Sequence, residues 1–114
     1  MSKRDEFYTS ILSNINLCYQ TGYEQTDQIE VIGEYVAMVF KDHVGNYRVQ
    51  LVSSGEVVSG ILYDHVGEAR VRYTKPSHRG QRLSKQLFAW MDWKYPKMNF
   101  HHSAYLTVAG ENSL

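Results

Sequence analysis

Four cations, Lys75, Arg79, Arg82 and Lys85, bracket Gly80 in the stretch KPSHRGQRLSKQLFAWM, residues 75–91. Their types and spacing suit phosphate chemistry. A helix that opens just after a glycine presents unpaired backbone N–H groups and the positive end of its dipole, and both favour an anion. Cations at that end oppose the dipole, and a bound anion would relieve the cost. A solvated basic helix face is the ordinary reading of a lone basic cluster, and spacing alone does not settle the choice. Other chemistry finds less support. His101 and His102 are adjacent and would point to opposite faces of a strand, so they cannot chelate one metal, and His43, His65 and His78 lack ligand spacing. No metal site is expected. A Gly-x-Ser-x-Gly nucleophile turn and a full phosphate-binding P-loop are absent from the sequence. Cys18 is the lone cysteine and reads as a packing residue, which excludes an internal disulfide and fits a reducing compartment.

The elements that must position the Gly80 stretch follow from periodicity. Phe7, Ile11, Leu12 and Ile15 recur at helical spacing and predict an N-terminal helix from Ser2 to about Gln20, broken by TGYEQTDQ. From Ile29 the pattern turns to strands: IEVIGEYVAMVF, NYRVQLV, EVVSGILY and EARVRYT, joined by DHVGN, SSG and DHVG. This predicts a meander of three or four strands. Leu83, Leu87, Phe88 and Met91 then mark one face of a helix from about His78 to Trp93, which Pro96 helps to stop. HSAYLTVA reads as a further strand, parallel to its neighbour across the helical crossover.

The chain has 114 residues, which suits one domain over residues 1–114. Lys+Arg and Asp+Glu both number 12, so no global field draws the protein to nucleic acid, and single-strand binding by the basic helix start is the weakest of the functional readings. The charged start MSKRDEFYTS and the lack of a long apolar run predict a cytoplasmic protein with no membrane association.

Order and context narrow the reading of the Gly80 stretch. RVRYTKPSHRGQRLSKQLFAWM resembles motif A of the GNAT acetyltransferase superfamily, in which a strand ends in a turn and Arg/Gln-x-x-Gly-x-Gly/Ala opens a helix. Tyr73 and Thr74 sit where that strand ends, and Arg79, Gly80, Gln81, Arg82, Leu83 and Ser84 occupy the loop. YLTVAGENSL looks like the next family strand with its Glu-Asn turn, so that Asn112 would lie beside the cofactor. The resemblance implies an α+β, single-domain GNAT-like fold: a mostly antiparallel mixed sheet flanked by an N-terminal helix and the motif A helix, without the usual C-terminal helix and strands. It implies acetyl-CoA or another acyl-CoA as substrate, its pyrophosphate on the loop amides, its pantetheine arm on the main chain of the preceding strand, and an amine as acceptor. Acidic residues on central strands commonly serve the family as base, which singles out Glu68, with His65 beside it; Tyr105 could donate to the thiolate or carbonyl. Two departures stand out. Arg82 replaces the loop's second glycine and Ser84 its last small residue.

The aromatic run FAWMDWKYPKMNF offers a different function. A helix in a small domain cannot bury its whole circumference, so Trp90, Trp93 and Tyr95 are candidates for a partner surface, for covering the remaining sheet within the chain, or for a homodimer contact. The competing reading is therefore a non-enzymatic interaction or inhibitor protein on a GNAT-like scaffold, of the sort found in phages or mobile elements.

Overall fold

In the central strands every second residue is apolar on one face and its neighbours meet the opposite face, so the sheet is covered on both sides. The computed structural model describes Lys3, Ser10, Leu12, Ser13 and residues 21–102. Strands β1 (Glu24–Ile32), β2 (Tyr35–Lys41), β3 (Tyr47–Ser53), β4 (Glu56–Tyr63) and β5 (Glu68–Thr74) form an antiparallel meander. A single described long helix, α1 (Leu83–Lys94), crosses over to β6 (His101–His102), which pairs parallel to β5. Among the described residues the sheet has six strands in sequence order. The fold is thus α+β with a mixed sheet and a parallel pairing after the helix; of the expected strand HSAYLTVA only His102 is among the described residues.

One face of the sheet packs on α1. Ala37, Val39, Val49, Leu51, Ile61, Tyr63 and Ala69 bury against Leu83, Leu87 and Met91, with Phe100 closing the layer. The other face carries Phe40, Leu62 and Val71 beneath Tyr23 and Leu12. Leu12 is fully buried and its carbonyl accepts a bond of 2.6 Å from Gln50 Nε2. Lys3, Ser10 and Leu12 are helical and Ser13 is in a turn; the rest of the expected N-terminal helix lies outside the described residues.

Two expectations about element boundaries are corrected. The run from Ile29 to Phe40 is two strands, because Gly33, at φ 61°, takes the first central position of a tight hairpin turn between Ile32 and Tyr35. The first of these strands also begins at Glu24, inside the polar TGYEQTDQ segment. An edge strand exposes part of its surface, so polar residues are tolerated there, and a bulge between Gln25 and Ile29 absorbs the irregular stretch. Thr26 Oγ1 donates to the Val39 carbonyl (3.0 Å) and accepts from the Gln28 amide (3.2 Å) within it.

The second correction concerns α1, which starts at Leu83 rather than His78. Pro76–His78 is a separate 3-10 turn, and Gly80 (φ 88°) and Arg82 (φ 57°) both adopt left-handed backbone, which an α-helix cannot contain. At the other end Tyr95 leaves helical geometry and Pro96–Met98 forms a second 3-10 turn.

Candidate phosphate loop and its surroundings

The loop begins where β5 ends. Lys75 N–H donates to the Val58 carbonyl (2.8 Å), and Ser59 Oγ donates to the Tyr73 carbonyl (2.9 Å) and lies 3.2 Å from Thr74 Oγ1. These bonds pin the strand end to β4. The chain then turns through Pro76–His78, closed by His78 N–H to the Lys75 carbonyl (2.8 Å). A Cβ placed on Gly80 would meet nothing within 4 Å, so open space lies beside this residue.

Helix α1 then starts without a cap. Its first backbone bond runs from Gln86 N–H to the Arg82 carbonyl (3.0 Å), no side chain caps the end, and no acidic residue sits in its first turn. Among the described residues nothing accepts from the amides of Gly80, Gln81, Arg82, Leu83, Ser84 or Lys85. Leu83 and Ser84 are buried and anchor the helix start to the sheet, whereas Gly80, Gln81, Arg82 and Lys85 are exposed. Gln81 is fixed from both sides: its Oε1 accepts from Tyr35 OH (3.4 Å) and its carbonyl from Gln86 Nε2 (3.2 Å).

The four cations divide. Lys75 pairs with Glu56, whose carboxyl it holds below the ordinary range. Arg79 turns its Nε to the Thr74 carbonyl (3.2 Å). Arg82 and Lys85 have no ion-pair partner among the described residues. The structure therefore gathers free amides, an open glycine and two uncommitted cations at one place. A cleft of about 390 Å3 lies next to it, walled by Ile32 and Tyr35 on the β1–β2 hairpin and by Leu83, Leu87 and Trp90 on α1.

The remaining candidates are dispersed. Glu68 begins β5, at the opposite end from Thr74, a separation of about 20 Å at the strand rise. Its carboxylate faces Arg70 (3.5 Å), and its N–H donates to Asp64 Oδ1 (2.9 Å). His65 is exposed in the preceding turn. Tyr105 and Asn112 lie outside the described residues. In the aromatic run, Trp90 is half-buried and donates its Nε1 proton to Glu30, Tyr95 packs 5.7 Å from the Tyr47 ring, and Trp93 is 70% exposed.

Sequence reasoning missed a second cluster, centred on Phe88 of α1. The Tyr63 ring centroid lies 5.7 Å from Phe88, His102 stacks on it at 4.0 Å and 7°, and the Arg72 guanidinium carbon lies 5.4 Å from its centre. Strict alternation in EARVRYT puts Arg70 and Arg72 together on a polar face. A register shift between Leu62 and Tyr63 leaves Arg70 without a register partner on β4 and turns Arg72 to the buried face beside Ile61. Nothing in the residue types announces that bulge.

The architecture and loop define a small α+β domain with an uncapped helix end beside Arg82 and Lys85. No family model, curated protein or solved structure matches the chain. Among the described residues, no helix is long and apolar enough to cross a membrane.

Proposed function

We propose that this protein binds an acyl-CoA, acetyl-CoA foremost, and transfers its acyl group to an amine in the manner of a GNAT-like domain. The observation that carries this reading is the row of free amides from Gly80 to Lys85, set between the end of β5 and an uncapped helix. Fixed N–H donors and a helix dipole are suited to a pyrophosphate, and Arg82 and Lys85 add charge where the anion would sit. Left-handed backbone at Arg82 supports the motif resemblance, since it is the conformation a glycine at this position takes without strain. Main-chain groups at Tyr73 and Thr74 would meet the pantetheine arm, and Asn112 would approach the cofactor.

In the reaction a neutral amine attacks the thioester carbonyl, the C–S bond breaks, and the amine's proton passes to a base while the thiolate leaves. Glu68 and Tyr105 are the candidates for handling these charges. Titration calorimetry with CoA and acetyl-CoA tests the reading. Saturable heat is expected for both, weakened about tenfold by Arg82→Glu, which places a carboxylate against the pyrophosphate. No heat from either ligand at millimolar concentration removes the cofactor assignment.

A second reading, an interaction protein without catalysis, is favoured by the exposure of Trp93, whose ring lies 4.8 Å from Lys94 Nζ. A large ring left in water is a ready anchor for a partner. On this reading a stoichiometric partner is lost on Trp93→Ala while the melting temperature is unchanged; retention of that partner by the variant discards the surface.

A further inference from the structure

Arg72 is 1% exposed, yet among the described residues its Nε and Nη1 have no hydrogen-bond partner and no carboxylate pairs with it. Its neighbours are the face of Phe88 and the ring nitrogens of His102, which contact Nη2. Tyr63 is fully buried on the adjacent strand. The pairings Ile61↔Arg72 and Tyr63↔Ala69 make it the diagonal neighbour of Arg72, and its hydroxyl is also without a partner. Ser84, one turn before Phe88 on the buried side of α1, adds a third buried hydroxyl in the same state. A buried cation met only by an imidazole and a ring face is among the least favourable arrangements a core can hold, and an anion with hydrogen-bond capacity is what relieves it.

We propose that Arg72 and Tyr63 form an internal site, between β4, β5 and α1, for a small carboxylate that accepts from Arg72 Nε and Nη1 and from the Tyr63 hydroxyl. This site is separate from the Gly80 loop and does not rest on the CoA reading. The chemistry selects the ligand's charge. One guanidinium balances one negative charge, while the hydroxyls of Tyr63 and Ser84 donate without adding charge, so a monoanion fits and a phosphate dianion would bury an excess. Burial pushes the Tyr63 phenol far above its ordinary range, which keeps its proton available for donation, and pulls the Arg72 guanidinium downward, a cost that a bound anion reverses. His102, which is exposed, stacks on Phe88 beside this cluster.

The test is thermal melting of the full chain in acetate, inorganic phosphate and chloride at matched ionic strength, for the wild type, Arg72→Met and Tyr63→Phe. Acetate should raise the wild-type melting temperature above both other anions. Arg72→Met should abolish that rise and, in chloride, melt no lower than the wild type, because it exchanges an uncompensated buried charge for an apolar side chain of similar length. Tyr63→Phe should fold normally and weaken acetate about tenfold, the scale of one hydrogen bond to a charged group. An equal response to phosphate would overturn the carboxylate assignment. Indifference of the wild type to acetate, or Arg72→Met melting far below it in chloride, would overturn the site, the latter by showing the charge already compensated within the chain.

Discussion

Arg82 sits at φ 57° and ψ 32° immediately before α1, where a Cβ crowds the following carbonyl at a cost of about 1–2 kcal/mol. Its positive charge also faces the positive end of the helix dipole. Both penalties fall on one exposed residue of the proposed phosphate loop. Arg82→Gly should therefore raise the unfolding free energy by about 1 kcal/mol in urea denaturation, less glycine's greater entropy in the unfolded chain. Arg82→Ala keeps the strained backbone and removes only the charge, so it should recover no more than a few tenths of a kcal/mol. A gain with glycine but not with alanine assigns the cost to the backbone. In the presence of acetyl-CoA the order should reverse, because the arginine then has a phosphate to meet.

At the scale of elements, two identical DHVG tetrapeptides build two equivalent turns. Asp42 Oδ1 accepts from the amides of Val44, Gly45 and Asn46 between β2 and β3, and Asp64 Oδ1 accepts from those of Val66 and Glu68 between β4 and β5. Burial works to raise the Asp42 carboxyl, but the hydrogen bonds from Asn46, Val44 and Gly45 prevail and bring it below its ordinary 3.8. A depressed folded value means that the contribution to stability is complete above 3.8 and is lost as pH falls through the lower folded value. Asp42→Asn should be less stable than the wild type at pH 7 by no more than about 1 kcal/mol, since solvent screens a turn carboxylate, and the gap should close on acidification. The two turn glycines differ in kind. Gly45 (φ 100°) has only His65 Cβ near, at 3.8 Å, whereas a Cβ on Gly67 (φ 88°) would lie 2.9 Å from the Met98 carbonyl oxygen. The Gly67 carbonyl also accepts from His101 N–H (2.9 Å), the bond that leads the chain into β6. Gly45→Ala should cost about 1 kcal/mol and Gly67→Ala at least about twice that, read from denaturation midpoints.

These elements also show what the residues announce and what they conceal. The meander is legible because Val, Ile and Tyr alternate between turn-forming tetrapeptides. The Gly33–Glu34 hairpin is hidden because alternation continues on both sides of a single glycine. Left-handed backbone at Gly80 and Arg82 delays α1, and an arginine at such a position gives no compositional sign of it. For the candidate site, the loop residues and their cations were legible, but the diversion of Lys75 to Glu56 and of Arg79 to Thr74 depends on distant strands. The burial of Arg72 was not legible at all, since it follows from one unpaired residue in β5.

For the whole molecule, the sheet divides two tasks. One face holds Leu12 and Tyr23 over Phe40, Leu62 and Val71, a layer with no part in the proposed chemistry. The other presses α1 onto the strands, so the start of that helix is fixed relative to the end of β5 and the amides from Gly80 to Lys85 keep one orientation. Glu30 of β1 strengthens this clamp by accepting from Trp90 Nε1 and pairing with Lys94 (3.1 Å). Preorganised donors of this kind bind an anion without first ordering a loop. The most direct measurement is a backbone amide spectrum of the full chain titrated with acetyl-CoA. Binding at the proposed loop predicts saturable shifts that centre on Gly80, Gln81, Arg82, Leu83, Ser84 and Lys85; a spectrum unchanged at millimolar acetyl-CoA, or shifts that bypass these amides, would contradict it.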